Sequence, residues 1–351
     1  MTKFFITLLS IFALTQSVCA QSAILSQTQA SYIELENPED FIQIPETPWL
    51  LISSMKSPQG TGGALYAINS QDPDLTPVKI YPHPQHPATD KQDNGEVLPA
   101  DFNPHGITLF RDNSGITLFV VHHGVRESIE SYSLHLENGR PAVVWQHSVM
   151  MPQNTWANAV ATLGHREFLV TSMFDPHSDF LQRFDRKNIT GQVWRWNNLR
   201  WQPAFAHQFS GANGIEISAD GRWVIVSEWA AQKVHRFSLT DETAHDIIEV
   251  DFLPDNLHRM ASGEILLSGQ NTCPSTLFSC EDPGKGPCPQ PYTVLSIQPA
   301  DFTARVLVRK AGDEDFGAGT AAIQVTTDKA TELWVGTVTN DRISRFIYPE
   351  S

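Results

Sequence analysis

The sequence predicts an all-β fold, a six-bladed β-propeller, on three observations. Short antiparallel meanders recur along the chain, their strands are joined by turn-forming residues, and each meander opens on a polar side chain. A sandwich or two stacked barrels would leave the third observation without a reason. In a propeller the first strand of every blade lines the axis, so such residues converge at one mouth of a channel.

The clearest unit is FSGANGIEISADGRWVIVSEWAAQKVHRF, residues 209–237. Ile215 and Ile217 alternate with polar neighbours, as a strand with one buried face requires. Ala219-Asp220-Gly221 follows as a hairpin turn, because Asp-Gly tolerates the positive φ of tight loops. A second strand runs from Trp223 to Val226 and a third from Lys233 to Leu239.

The other units repeat this plan. Gln21 to Tyr32 is polar and is available as an outer strand closing the ring. The first meander begins at Glu39-Asp40 and continues through Phe41 to Ile44, Trp49 to Ser53 and Gly63 to Asn69. The second begins at Phe102-Asn103-Pro104-His105-Gly106, turns at Asp112 to Gly115, and continues through Ile116 to Val121 and Ile129 to Leu134. The third begins at Asn158 and turns at Gly164-His165; the fourth begins at Asn213. The fifth starts at Asp255-Asn256, and the sixth starts near Thr320 and ends in Arg342 to Phe346. Their uneven spacing marks a divergent repeat with inserted loops.

Composition narrows the function. A formal charge of −15 over 351 residues argues against nucleic acid, whose phosphates call for clustered Lys and Arg. Residues 1–20 have the pattern of a signal peptide: Lys3, an apolar stretch from Phe4 to Leu14, and Val18-Cys19-Ala20 before Gln21. That stretch is too short to span a bilayer as a stable helix, and nothing else resembles a membrane segment. The expectation is a periplasmic or secreted protein with one domain over 21–351; nothing in the sequence assigns an oligomeric state. Removing the signal leaves Cys273, Cys280 and Cys288 in one Pro/Gly-rich insertion, which reads as a surface loop stapled by one disulfide with a thiol to spare. The sequence leaves the pairing open.

At the axis the leading residues bring together two carboxylates, Glu39 and Asp255, and three amides, Asn158, Asn213 and Asn256. All of them offer oxygen. Calcium takes roughly six to eight hard oxygen ligands in flexible geometry, whereas zinc or copper would call for His and Cys. Two negative charges match a divalent cation. A lone Asn before a strand is ordinarily a turn residue; five oxygen donors at equivalent places of a repeat are not explained that way.

FNPHGITLF, VVHH, the 209–237 stretch and LPDNL resemble the paraoxonase/arylesterase family of lactonases, within the gluconolactonase-like six-bladed propellers. The resemblance covers most of residues 33–347. It implies a channel calcium that binds the substrate's carbonyl or phosphoryl oxygen, with ligands falling on Glu39, Asn158, Asn213, Asp255 and Asn256. It places the family's histidine pair on His105 and His123 and makes Met55 and Lys56 substrate-wall residues. The implied activity is hydrolysis of a small lactone or aryl ester, with His105 taking a proton from water and His123 assisting. Two other readings keep the scaffold: a non-catalytic propeller that binds protein or polysaccharide around a structural calcium, and a non-hydrolytic enzyme like strictosidine synthase.

This chain departs from the family at Ser57 and Gly211, where relatives often carry aromatic residues, and near Gln270, often His. The family's usual second, structural calcium uses the acid after the Glu, here Asp40, and an acid where this chain has Ala159. A methyl group cannot coordinate a cation, so one calcium is expected. Asp40 must then find a hydrogen-bond donor or a different cation, or be protonated.

Overall fold

The computed structural model describes residues 29–57, 60, 62–83, 101–241, 243–280, 288–338 and 340–348, with the pair 16–17. The expected signal, residues 1–20, lies outside them apart from Gln16–Ser17, which run parallel to His245–Glu249. Six antiparallel sheets are arranged in a ring.

From the axis outward, blade one is Pro38–Gln43, Trp49–Ser54, Ala64–Asn69 and Val78–Ile80. Blade two is Asn103–Asp112, Gly115–His123, Ser128–Glu137 and Arg140–Met150; blade three is Trp156–Gly164, Glu167–Phe174, Gln192–Trp196 and Trp201–Pro203. Blade four is Ala212–Ile217, Trp223–Glu228, Lys233–Ser238 and His245–Glu249; blade five is Leu253–Arg259, Ile265–Gln270, Tyr292–Gln298 and Thr303–Lys310. Blade six takes Gly319–Thr326, Thr331–Thr337 and Arg342–Ile347 from the end of the chain and its outer strand, Ser31–Glu34, from the beginning. The closing strand thus overlaps the end of the stretch expected to supply it, at Ser31 and Tyr32, and runs two residues past it.

Each of six apolar clusters lies between two neighbouring blades. Ile52, Ile68 and Phe41 of blade one meet Trp334, Ile343 and Val325 of blade six, and Leu51 and Leu65 meet Val120 and Tyr132 of blade two. Both faces of an inner sheet are therefore covered, and Trp49–Ser54 is buried at every position. Burying apolar surface at about 25 cal/mol per Å² on both sides of every sheet is what holds the ring together.

The inner strands share one irregularity. All six ladders break register at the leading residue: Pro38/Asp40 around Glu39, Pro104/Ile107 around His105, Ala157/Val160 around Asn158, Ala212/Ile215 around Asn213, Pro254/Leu257 around Asp255-Asn256, and Gly319/Ala322 around Thr320. A bulge frees a residue from the ladder and re-aims its side chain. Gly106 and Gly214 let the inner strands approach at these points, since a Cβ would strike the backbone of Asn158 and of Asp255 respectively.

The cysteine insertion is more than a surface staple. Its short helix Pro274–Phe278 and the Cys280–Cys288 disulfide bring Leu277 and Cys288 into an apolar cluster with Met173, Trp229 and Leu253. Cys273 is free and exposed.

Candidate active site at the channel axis

Glu39, Asn158, Asn213, Asp255 and Asn256 come together at the bulged ends of the inner strands, all buried. Hydroxyls fix the backbone of three of them. Thr171 of blade three donates to the Asn213 carbonyl, Ser227 of blade four to that of Asp255 (2.7 Å), and Thr320 to that of Glu39 (2.9 Å). Asn256 Nδ2 donates to Glu39 Oε1 at 2.6 Å, and Gln270 Nε2 donates to Asp255 Oδ2 at 2.7 Å.

The oxygens that remain are the informative ones. Glu39 Oε2, Asn158 Oδ1, Asn213 Oδ1 and Asn256 Oδ1 are buried and have no hydrogen-bond partner. A buried acceptor left unsatisfied costs on the order of 1–3 kcal/mol, and four in one place fit a cation that accepts them all. Burial and the facing Glu39 carboxylate push Asp255 up to about 8, the response of a carboxyl lacking its counter-charge. The donor set is all oxygen and suits calcium.

Beside it stand the histidines. His105 Nδ1 is 2.8 Å from His123 Nε2, and His123 Nδ1 is 2.9 Å from Glu127 Oε2. The Glu127 carboxylate can only accept, so His123 carries its proton on Nδ1 and its Nε2 accepts from His105 Nδ1–H. This leaves the His105 Nε2 lone pair facing the axis, 3.5 Å from Glu39 Oε1 and from Asn158 Nδ2. Burial lowers His105, but Glu39, with Asp255 and Asp40, raises it by more. Burial also lowers His123, and there the Glu127 bond does not offset it.

Glu127 and Trp156 were not found by sequence reasoning. Glu127 is held by the Ala157 N–H (2.6 Å), and Trp156 stacks on His123 at 4.0 Å between ring centroids. An acid four residues after VVHH, across a tight turn, was the available signal. His122, the other histidine of that motif, sits between the carbonyls of Asp101 and Arg126. Met55 and Lys56 follow Trp49–Ser54, and Lys56 Nζ pairs with Asp101 at 2.9 Å.

Asp40 finds protein partners. His258 Nε2 lies 2.6 Å from its Oδ1, and the Ile107 N–H donates to Oδ2 at 2.8 Å. Burial lowers His258, but Asp40 and Glu216 raise it by more, so the charged imidazole is favoured beside Asp40.

Bulged inner strands, an oxygen-lined axis and an adjoining His–His–Glu chain define a six-bladed propeller with its candidate site at one channel mouth. The chain belongs to the arylesterase family, whose family model matches residues 59–345. It is 28% identical over 248 residues to serum paraoxonase/lactonase 3 of Homo sapiens, covering 68% of this chain and 66% of that protein. It is 25% identical over 232 residues to serum paraoxonase/arylesterase 2 of Homo sapiens, covering 64% of each. The chain thus spans just under two thirds of the length of these curated relatives. Among solved structures, a gluconolactonase of Xanthomonas campestris superposes with a TM-score of 0.54 at 14% identity, over 93% of this chain and 92% of that one. The calcium-binding protein regucalcin of Agrobacterium tumefaciens also gives 0.54, at 10% identity over 94% and 98%. At those identities the superpositions show the fold.

Proposed function

We propose that this chain is an exported, calcium-dependent hydrolase that opens lactones or cleaves related aryl esters. The observation that carries the reading is the set of four unpartnered buried oxygens from blades one, three, four and five, with the His105 lone pair beside them. The paraoxonase/lactonase relatives support the same chemistry.

Glu39, Asn158, Asn213, Asp255 and Asn256 would hold the ion. Calcium, when bound, supplies a charge that polarises the substrate carbonyl and offsets the negative charge developing on its oxygen. Once Glu39 and Asp255 are neutralised, the main pull that raises His105 is gone and burial favours the neutral imidazole. His105 Nε2 then takes a proton from the attacking water and returns it to the alkoxide leaving group, while Nδ1–H stays bonded to His123. Glu127 stabilises the positive charge that the pair carries in between. Met55 and Lys56 would form part of the substrate wall, and the first 20 residues would direct export.

A panel of aliphatic, homoserine and sugar lactones with phenyl acetate, assayed in calcium buffer, tests the reading. Turnover of at least one is expected. Calcium binding with no turnover of any would leave a binding propeller instead.

Two quantitative expectations arise here. Replacing Glu127 by Gln removes the charge that fixes His123 and should lower kcat by on the order of 10²-fold with little change in KM. The acid limb of the pH–rate profile should move to lower pH, because Glu127 raises His123; an unmoved limb would assign Glu127 to packing alone. Metal analysis after dialysis against calcium-free buffer should find one calcium per chain, since His258 engages Asp40. Two retained equivalents would overturn the single-ion expectation.

A further inference from the structure

Blade four carries a group of imidazoles that the hydrolytic reading leaves unused. His235, fully buried in Lys233–Ser238, sets its Nε2 2.8 Å from Glu228 Oε2 and its Nδ1 2.9 Å from His245 Nε2. His207 lies in the loop before Ala212–Ile217, its ring centroid 4.7 Å from His235 and 5.3 Å from His245. The Nε2 of His207 is buried and has no hydrogen-bond partner. Among the described residues, His207, Glu228 and His235 are the group of potential ligands whose donor atoms all lie within 4.8 Å of one another. An edge-on contact of His207 with Phe209 and stacking of His235 on Phe237 account for the rings but leave the unpartnered nitrogen unexplained.

We propose that His207, Glu228 and His235 form a second metal site for a divalent first-row transition ion such as zinc, with His245 as the outer partner of His235. Two imidazole nitrogens and a carboxylate form a donor set that zinc accepts and calcium does not, so donor type sorts the two ions between axis and blade. Zinc bonds of about 2.0–2.1 Å set neighbouring donors ~3.3 Å apart. The His235–Glu228 pair opens slightly to reach that spacing, and His207, carried on a loop, moves in. His235 can coordinate through Nε2 only with its proton on Nδ1, and His245 Nε2 is placed to accept that proton.

The charge states agree. Burial holds His207 below the ordinary histidine value, and burial with the neighbouring imidazoles holds His245 down to about 4, so both are neutral at pH 7. Burial opposes ionisation of Glu228, but His235 and the Ser210 N–H outweigh it, and its carboxyl is held below the usual range. A bound ion would tie the loop before blade four to that blade's second and third strands. Water completes the coordination from the exposed side, where His245 meets solvent.

The test uses calcium-saturated full-length protein, so that the axial site is filled. Titration with cobalt(II) should give one equivalent with the visible absorption of a tetrahedral N/O site, displaced by zinc, and zinc should raise Tm. His207→Phe keeps the ring packing but removes the nitrogen; it should lose the spectrum while retaining any lactone hydrolysis. His245→Ala should weaken binding by roughly 10- to 100-fold. No cobalt spectrum in the wild type, or an unchanged one in His207→Phe, would overturn the proposal. Neither result bears on the axial calcium or on hydrolysis.

Discussion

Chelating calcium from the purified protein should abolish lactone hydrolysis and lower thermal stability together. The ligands come from four different blades, and Asn256 bonds Glu39 across 217 residues of chain. An ion held at a hundred times its dissociation constant adds about 2.7 kcal/mol to the folded state. Its removal also uncovers a pH dependence. In the metal-free protein, burial and Glu39 hold Asp255 up to about 8, while an unfolded chain loses that proton near the ordinary aspartate value of about 4. Between those values the folded state holds the extra proton, so metal-free stability falls as pH rises. His105, which burial lowers but Glu39 raises by more, acts in the same sense, its contribution present below about 6.5 and lost as pH rises through its folded value. The Tm gap between calcium-loaded and metal-free protein should therefore widen from pH 5 to pH 8. Asn213→Ala and Asp255→Ala should mimic the chelator. Full activity in metal-free protein would end the calcium reading.

The second large effect is on the proton. His105→Gln should leave calcium bound and the ring folded, since the ligands are carried on bulged strands and His105 meets Glu39 and Asn158 only at 3.5 Å, yet slow hydrolysis by roughly 10²- to 10⁴-fold, the range of a positioned general base. His123→Gln should cost less, because His123 touches the reacting water only through His105. The two changes together should not add, as both act on one proton. A loss below about tenfold for His105→Gln would point to water activated by the ion alone.

Much of this geometry could be read in the chain because propeller repetition repeats a local pattern. Turn signals such as Asp220-Gly221 and alternating runs such as Ile215-Glu216-Ile217 mark inner strands whose order is the chain order. The residues that lead those strands, Glu39 through Thr320, were legible as a set. The outer strands were not read as part of the meanders. Trp201–Pro203 is three residues ending in proline, and His245–Glu249 has a single buried position, so neither shows the alternation that reveals an inner strand. Glu127, Trp156 and His258 escaped for another reason. Each acts through a partner on a different element, and no periodicity encodes which side chain lies opposite across a turn or a channel. The expected absence of an acid at Ala159 did point toward Asp40 needing a new partner, without saying which residue would supply it.

Ring closure carries a consequence for when the site can exist at all. Ser31–Glu34 pairs with Arg342–Ile347, and only a few residues later Glu39 is held by Asn256 and by the Thr320 hydroxyl, 281 residues away. A chain still emerging, or threaded unfolded through a membrane, has every ligand in its sequence but no place to put an ion. The complete donor set, with Glu39 in place, is assembled only when the two ends of the chain have met. Calcium capture would then report completion: a full-length, closed molecule takes up the ion, and a truncated or unclosed one cannot.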